Sequence, residues 1–136
     1  MEREKIHILI VDDVRSMRTH IKQILRTMRY LNISTAEHGI NALEALDSHC
    51  MAENPVRLIL ADWHMVPMDG LELLKLVKVH PIHYQTLFIM LTAEDTKQQV
   101  IEAITQGVDD YLIKPLTPAK VESRVEGLLR KRNLIT

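Results

Sequence analysis

One cysteine, one tryptophan, one phenylalanine and four glycines among 136 residues put several classes of protein out of reach. Cys50 alone forms no intramolecular disulfide, which excludes the small disulfide-stapled secreted scaffolds. Seventeen basic residues stand against eighteen acidic ones, and a net charge of -1 supplies no global field to draw nucleic acid or an anionic membrane. The first five residues lead into an apolar stretch too short for a signal peptide or a membrane span. The expectations are therefore no direct nucleic-acid partner, no membrane partner and a cytoplasmic location. No low-complexity segment or linker composition divides the sequence, so one domain is expected over 1–136, with its core at about 6–130.

What is present is a recurrence. Asp12 and Asp13 close the apolar run Ile8-Leu9-Ile10-Val11; Asp62 closes the run 56–61; Thr92 closes the run 86–91; Lys114-Pro115 closes the run 111–113. Short β-branched runs bounded by turn residues read as strands buried on both faces. Between them lie amphipathic segments. Met17, Ile21, Ile24, Leu25 and Met28 recur at helical spacing, and a short strand near 32–36 precedes a helix carrying Ile40, Leu43 and Leu46. Gly70 opens a third helix, 71–79, which Pro81 stops. A fourth, about 95–106, is expected to turn Val100, Ile101 and Ile104 inward and to end at Gly107. The last begins at an N-cap and first-turn proline, Thr117-Pro118, and buries Val121, Val125, Leu128 and Leu129.

Five β-α repeats specify a doubly wound α/β domain with right-handed crossovers and a parallel sheet covered by helices on both faces. If the strand order is 2-1-3-4-5, strands one and three meet at the topological switch point. Asp12, Asp13 and Asp62 then converge there, and Thr92 and Lys114 reach the rim of the same pocket.

The pieces Ile10-Val11-Asp12-Asp13, Ser16-Met17-Arg18, Asp62-Trp63, the stretch from Met68-Asp69-Gly70 to Leu74, Leu91-Thr92-Ala93-Glu94, and Tyr111 through Lys114-Pro115 resemble a two-component response-regulator receiver. The resemblance runs over nearly the whole length and is closest to the single-domain CheY-type chemotaxis receivers, with their flavodoxin-like (βα)5 fold. It implies that Asp62 accepts a phosphoryl group from a sensor histidine kinase. It further implies Mg2+ held by Asp12, Asp13, Asp62 and the backbone carbonyl of His64. Lys114 would offset charge on the phosphoryl oxygens, Thr92 would bond the aspartyl phosphate, and Tyr111 would turn inward with it. A downstream protein would read the face made by helix four, strand five and helix five. Chemistry argues the same way from below, because three close carboxylates need a proton or a hard cation, and phosphoryl transfer asks mainly for positioning and charge compensation.

Each residue also has an ordinary explanation. Asp12-Asp13 suits a turn and helix cap, Thr92 a cap, Lys114 a solvated surface and Tyr111 packing. His80 and His83 flank Pro81 in an expected loop, where surface residence is the simpler reading than metal binding. Arg130-Lys131-Arg132 reads as a solvated helix end. The joint placement on one sheet edge is what no structural need explains.

Two positions depart from the family pattern. Val66 stands where a proline is common four residues after the phosphoacceptor, with Pro67 next, and His64 replaces a frequent asparagine. His64 and Glu94 border the path of a water attacking the phosphoryl group, so both are expected to tune dephosphorylation. The alternatives are the N-terminal receiver of a longer regulator and, in another class, a magnesium-dependent small-molecule phosphatase. The second is disfavoured by adjacent aspartates where haloacid-dehalogenase-type enzymes usually carry Asp-x-Asp, and no Gly-rich turn follows Val11 to suit a nucleotide-binding enzyme.

Overall fold

The protein is described by a computed structural model that covers residues 1–93 and 96–136. Its five strands are β1 (Ile8–Val11), β2 (Ile33–Ala36), β3 (Leu58–Asp62), β4 (Leu87–Thr92) and β5 (Asp110–Ile113). The helices are α1 (Arg15–Thr27), α2 (Gly39–Met51), α3 (Gly70–Val79), α4 (Lys97–Thr105) and α5 (Pro118–Lys131). All strand pairings are parallel and the order is β2-β1-β3-β4-β5, as expected.

Alternation along the strands builds two cores. Ile8, Ile10, Leu58, Leu60, Ile89 and Leu91 face α1 and α5, meeting Ile21, Leu25, Val125 and Leu129. Leu9, Val11, Ile59, Ala61, Phe88 and Met90 face the other way, toward Ala42, Leu46, Leu73, Leu74, Val77 and Ala103. Successive strand side chains point to opposite faces, so a strand covered on both sides is apolar throughout. All four residues of β1 are fully buried, each worth about 1.5–3 kcal/mol relative to exposure. This dry interior holds the strand ends rigid.

Local chemistry sets the helix starts. Asp69 accepts the Glu72 amide at 2.8 Å, Thr96 the Gln99 amide at 3.3 Å and Thr117 the Lys120 amide at 3.2 Å. Gly107 ends α4 at φ +91°, a conformation open to glycine and costly for other residues.

Two expectations are corrected, the inward facing of Ile101 and Ile104 and the surface place of His83. Ile101 and Ile104 are 53% and 64% exposed, and α4 instead lays Ala103 on the sheet. Ile40 likewise faces outward, while Ala42 and Leu46 bury α2. His83 is 6% exposed and not a surface residue; its imidazole pairs with Asp47 across the gap between α2 and the α3–β4 connection. Asp95, the expected start of the fourth helix, lies outside the described residues.

Candidate functional site

At the C-terminal edge of the sheet, the shared boundary of β1 and β3 brings Asp12, Asp13 and Asp62 together. One carboxylate oxygen from each lies within 4.8 Å of the others. Asp12 is fully buried, Asp62 nearly so, and Asp13 exposed. Asp12 is held in place from several sides. Its Oδ1 accepts the Val14 amide at 2.9 Å, and its backbone carbonyl accepts Arg18 Nη1 at 2.8 Å. β5 delivers the cation: Lys114 Nζ stands 3.3 Å from Asp62 Oδ1 and 3.5 Å from Asp12 Oδ2. The Lys114 amide donates to the Thr92 carbonyl at 2.8 Å, which fixes the end of β5 against the end of β4.

Thr92 is fully buried at that same edge. Tyr111 pairs with Met90 in register, and its ring packs edge-on to Trp63, with centroids 6.5 Å apart. The Tyr111 hydroxyl is shielded from solvent. Trp63 is buried beside Asp62 and donates its amide to the Leu91 carbonyl, so one aromatic pair connects the carboxylate edge to β5. His64 is exposed on the loop above, and its amide donates to the Asp62 carboxylate. Glu94 lies outside the described residues.

Gly70 has a role that the sequence did not reveal. A Cβ there would sit 2.4 Å from the Asp62 carbonyl oxygen, and the Gly70 amide donates to the Trp63 carbonyl at 2.8 Å. The start of α3 therefore presses directly on the strand end that carries Asp62, where only glycine fits. Its place after the capping Asp69 signalled a helix start and nothing about this contact. Arg18 was visible only as part of a motif, because its bond to the Asp12 carbonyl joins residues in different elements.

Burial raises the Asp62 carboxyl above the ordinary carboxylate range; Lys114 opposes that rise, Asp12 adds to it, and bonds from Lys114 and the His64 amide oppose it again. The folded chain thus holds this proton more tightly than the unfolded chain does. Stability contributed at low pH is lost as pH rises through the folded value, and the deficit is full above it. Asp62→Asn is expected to remove that slope and, without divalent cation at neutral pH, to raise the thermal midpoint. Thermal scans of both proteins across pH check this. An unchanged or lower midpoint in the variant would contradict the electrostatic account.

Three carboxylates against one ammonium leave the described pocket electronegative, and every side-chain donor facing it is a hard oxygen. That set fits Mg2+ and offers nothing to a soft metal. A second group with ligand geometry, Asp47, His80 and His83, lies apart from this pocket.

Comparison with known proteins agrees with the geometry. The response regulator receiver domain family matches residues 8–126. The chemotaxis protein CheY1 of Helicobacter pylori is 36% identical over 122 residues, covering 90% of this chain and 95% of the relative. A CheY homolog of Campylobacter jejuni is 35% identical over 90% of this chain and 91% of the relative. Among solved structures, the CheX–CheY complex with beryllofluoride and Mg2+ from Borrelia burgdorferi superposes with a TM-score of 0.81 at 29% identity, over 91% of this chain and 89% of that one. A probable two-component response regulator/GGDEF domain protein gives a TM-score of 0.85 at 27% identity, and there this chain spans only 52% of the longer protein.

Proposed function

The chain belongs to the response regulator receiver family, and from that premise we propose that Asp62 accepts a phosphoryl group from a phosphohistidine on a sensor histidine kinase. It is a receiver related to the CheY chemotaxis regulators, a signalling protein and not a classical enzyme. The observation that carries the proposal is the Lys114 ammonium spanning two buried carboxylates, Asp12 and Asp62, at the switch point of the sheet.

An Asp62 oxygen attacks phosphorus, the N–P bond of the donor breaks, and its imidazole leaves. Lys114 lies within reach of the phosphoryl oxygens as their charge shifts, and Val14 keeps Asp12 oriented beside them. Asp12, Asp13, Asp62 and the His64 carbonyl are the groups that would hold Mg2+, whose charge, when bound, offsets that of the phosphoryl oxygens. Thr92 then turns its hydroxyl toward the aspartyl phosphate, and Tyr111 follows on β5.

The readout surface is α4, β5 and α5. Ile101 and Ile104 expose apolar side chains that the fold does not use, and a groove of about 580 Å3 runs past Tyr111, Ala119, Lys120 and Arg124. Apolar anchors rimmed by polar groups suit a downstream protein. Among the described residues no helix is long and apolar enough to cross a membrane. Near-full coverage of the CheY relatives supports a single-domain, chemotaxis-like receiver working in the cytoplasm. A second reading, the receiver of a longer regulator, is supported by the response regulator/GGDEF structure.

Trp63 supplies the test, being buried against the pocket and against Tyr111. Its emission is expected to change with Mg2+ and again with beryllofluoride, and Asp13→Asn should weaken the Mg2+ response. A flat titration would contradict the site. The same signal follows decay after phosphorylation by acetyl phosphate. The exposed His64 imidazole orients the attacking water, so His64→Ala is expected to slow the decay. Faster decay would assign His64 a shielding role instead.

A further inference from the structure

We propose that Asp47, His80 and His83 form a binding site for a zinc-class divalent ion at the edge of the sheet opposite the acidic pocket. The turn after α3 builds it. His80 caps α3, and the Tyr84 amide returns to the His80 carbonyl at 3.0 Å, which folds His83 back over His80. The two rings lie 4.3 Å apart at 30°. α2 contributes Asp47, whose Oδ1 is 2.7 Å from His83 Nε2. One nitrogen from each ring and one Asp47 oxygen fall within 4.8 Å of one another.

The donor set decides which ion. Two imidazoles and one carboxylate match the three protein ligands of open zinc sites, whereas Mg2+ prefers oxygen alone. His83 is buried and held by packing, so part of the site is ordered before any ion arrives. The Asp47 side chain is 62% exposed, which leaves an approach from solvent and room for a water ligand.

Binding has a defined proton and hydrogen-bond balance. The ion displaces the proton between His83 Nε2 and Asp47 Oδ1, and the imidazole that ligates through Nε2 is the neutral ring with its one proton on Nδ1. His80 Nδ1 now accepts the Ile82 amide at 3.0 Å and the His83 amide at 3.4 Å. When His80 ligates through Nδ1 it gives up both amide bonds, and the amide of exposed Ile82 passes to water. Zinc would thereby tie α2 to the α3–β4 connection and stabilise the folded chain by mass action.

The test uses the untagged chain in saturating Mg2+, which fills the acidic pocket, titrated with Zn2+ by calorimetry and by amide chemical shifts. One zinc ion per chain is expected, with the Ile82 and His83 amides shifting as it binds. His80→Ala and Asp47→Asn, both altering side chains that are at least partly exposed, should each weaken binding roughly tenfold or more. Zinc bound equally well by both variants would overturn the proposal. So would zinc-dependent shifts confined to Asp12, Asp13 and Asp62 or to the remaining histidines, or no binding at all.

Discussion

Thr92→Ala is expected to keep phosphorylation of Asp62 and to lose its transmission to β5, α4 and α5. The reason lies in the division of labour at the sheet edge. Charge compensation is assigned to Lys114 and to the Mg2+ that Asp12, Asp13 and Asp62 would hold, and none of these residues changes in the variant. The Thr92 hydroxyl, buried at the end of β4, is the group proposed to read the phosphate. Its carbonyl anchors the Lys114 amide, a backbone bond that alanine retains. Removing one buried hydroxyl costs about 1 kcal/mol, too little to unfold an ordinary domain. Beryllofluoride with Mg2+ should then shift wild-type amides at the pocket, around Tyr111 and along α4 and α5. In the variant the shifts should remain near Asp12, Asp62 and Lys114. Equal shifts around Tyr111 in both proteins would refute the coupling.

That division explains why a fold with a rigid interior can switch. The strand interiors are dry and close-packed, so a local change at the edge cannot be absorbed there. On the proposed reading it passes instead through side chains at that edge. Tyr111, packed edge-on to Trp63 with its hydroxyl out of solvent, is the one best placed to move. α4 is suited to respond: it lays Ala103 on the sheet, and its Ile101 and Ile104 remain exposed. Few buried contacts make an element cheap to displace.

The sheet was legible because its strands are buried on both faces, which leaves continuous β-branched runs with polar residues at their ends. Asp12, Asp13, Asp62, Thr92 and Lys114 could be placed on one edge from those runs alone, once the strand order was assumed. The facing of α4 was not legible. Val100 and Ala103 make one stripe at helical spacing and Ile101 and Ile104 another, and hydrophobicity favours the larger pair. Close approach to the sheet selects the small Ala103 instead. His83 was missed for a related reason. A histidine beside Pro81 reads as loop and surface, while its burial depends on Asp47, thirty-six positions away in α2. Gly70 was seen as punctuation, since the Asp62 carbonyl that demands it lies across an unpredictable loop containing Val66 and Pro67.

The central claim is that the Asp62 carboxylate is the phosphoryl acceptor, and the largest single effect follows from it. Incubation with acetyl phosphate and Mg2+, read by intact mass under conditions that preserve acyl phosphates, tests it most directly. We propose Asp62 as the nucleophile because its carboxylate ends β3 beside Asp12, Asp13 and Lys114; Asp12 is fully buried, with Oδ1 held by the Val14 amide and Oδ2 facing Lys114. Asp13 is exposed within the same cluster, which suits a metal ligand open to solvent better than an attacking group. Wild type is expected to gain one phosphoryl group, and Asp62→Asn none. Undiminished labelling of Asp62→Asn would contradict the account.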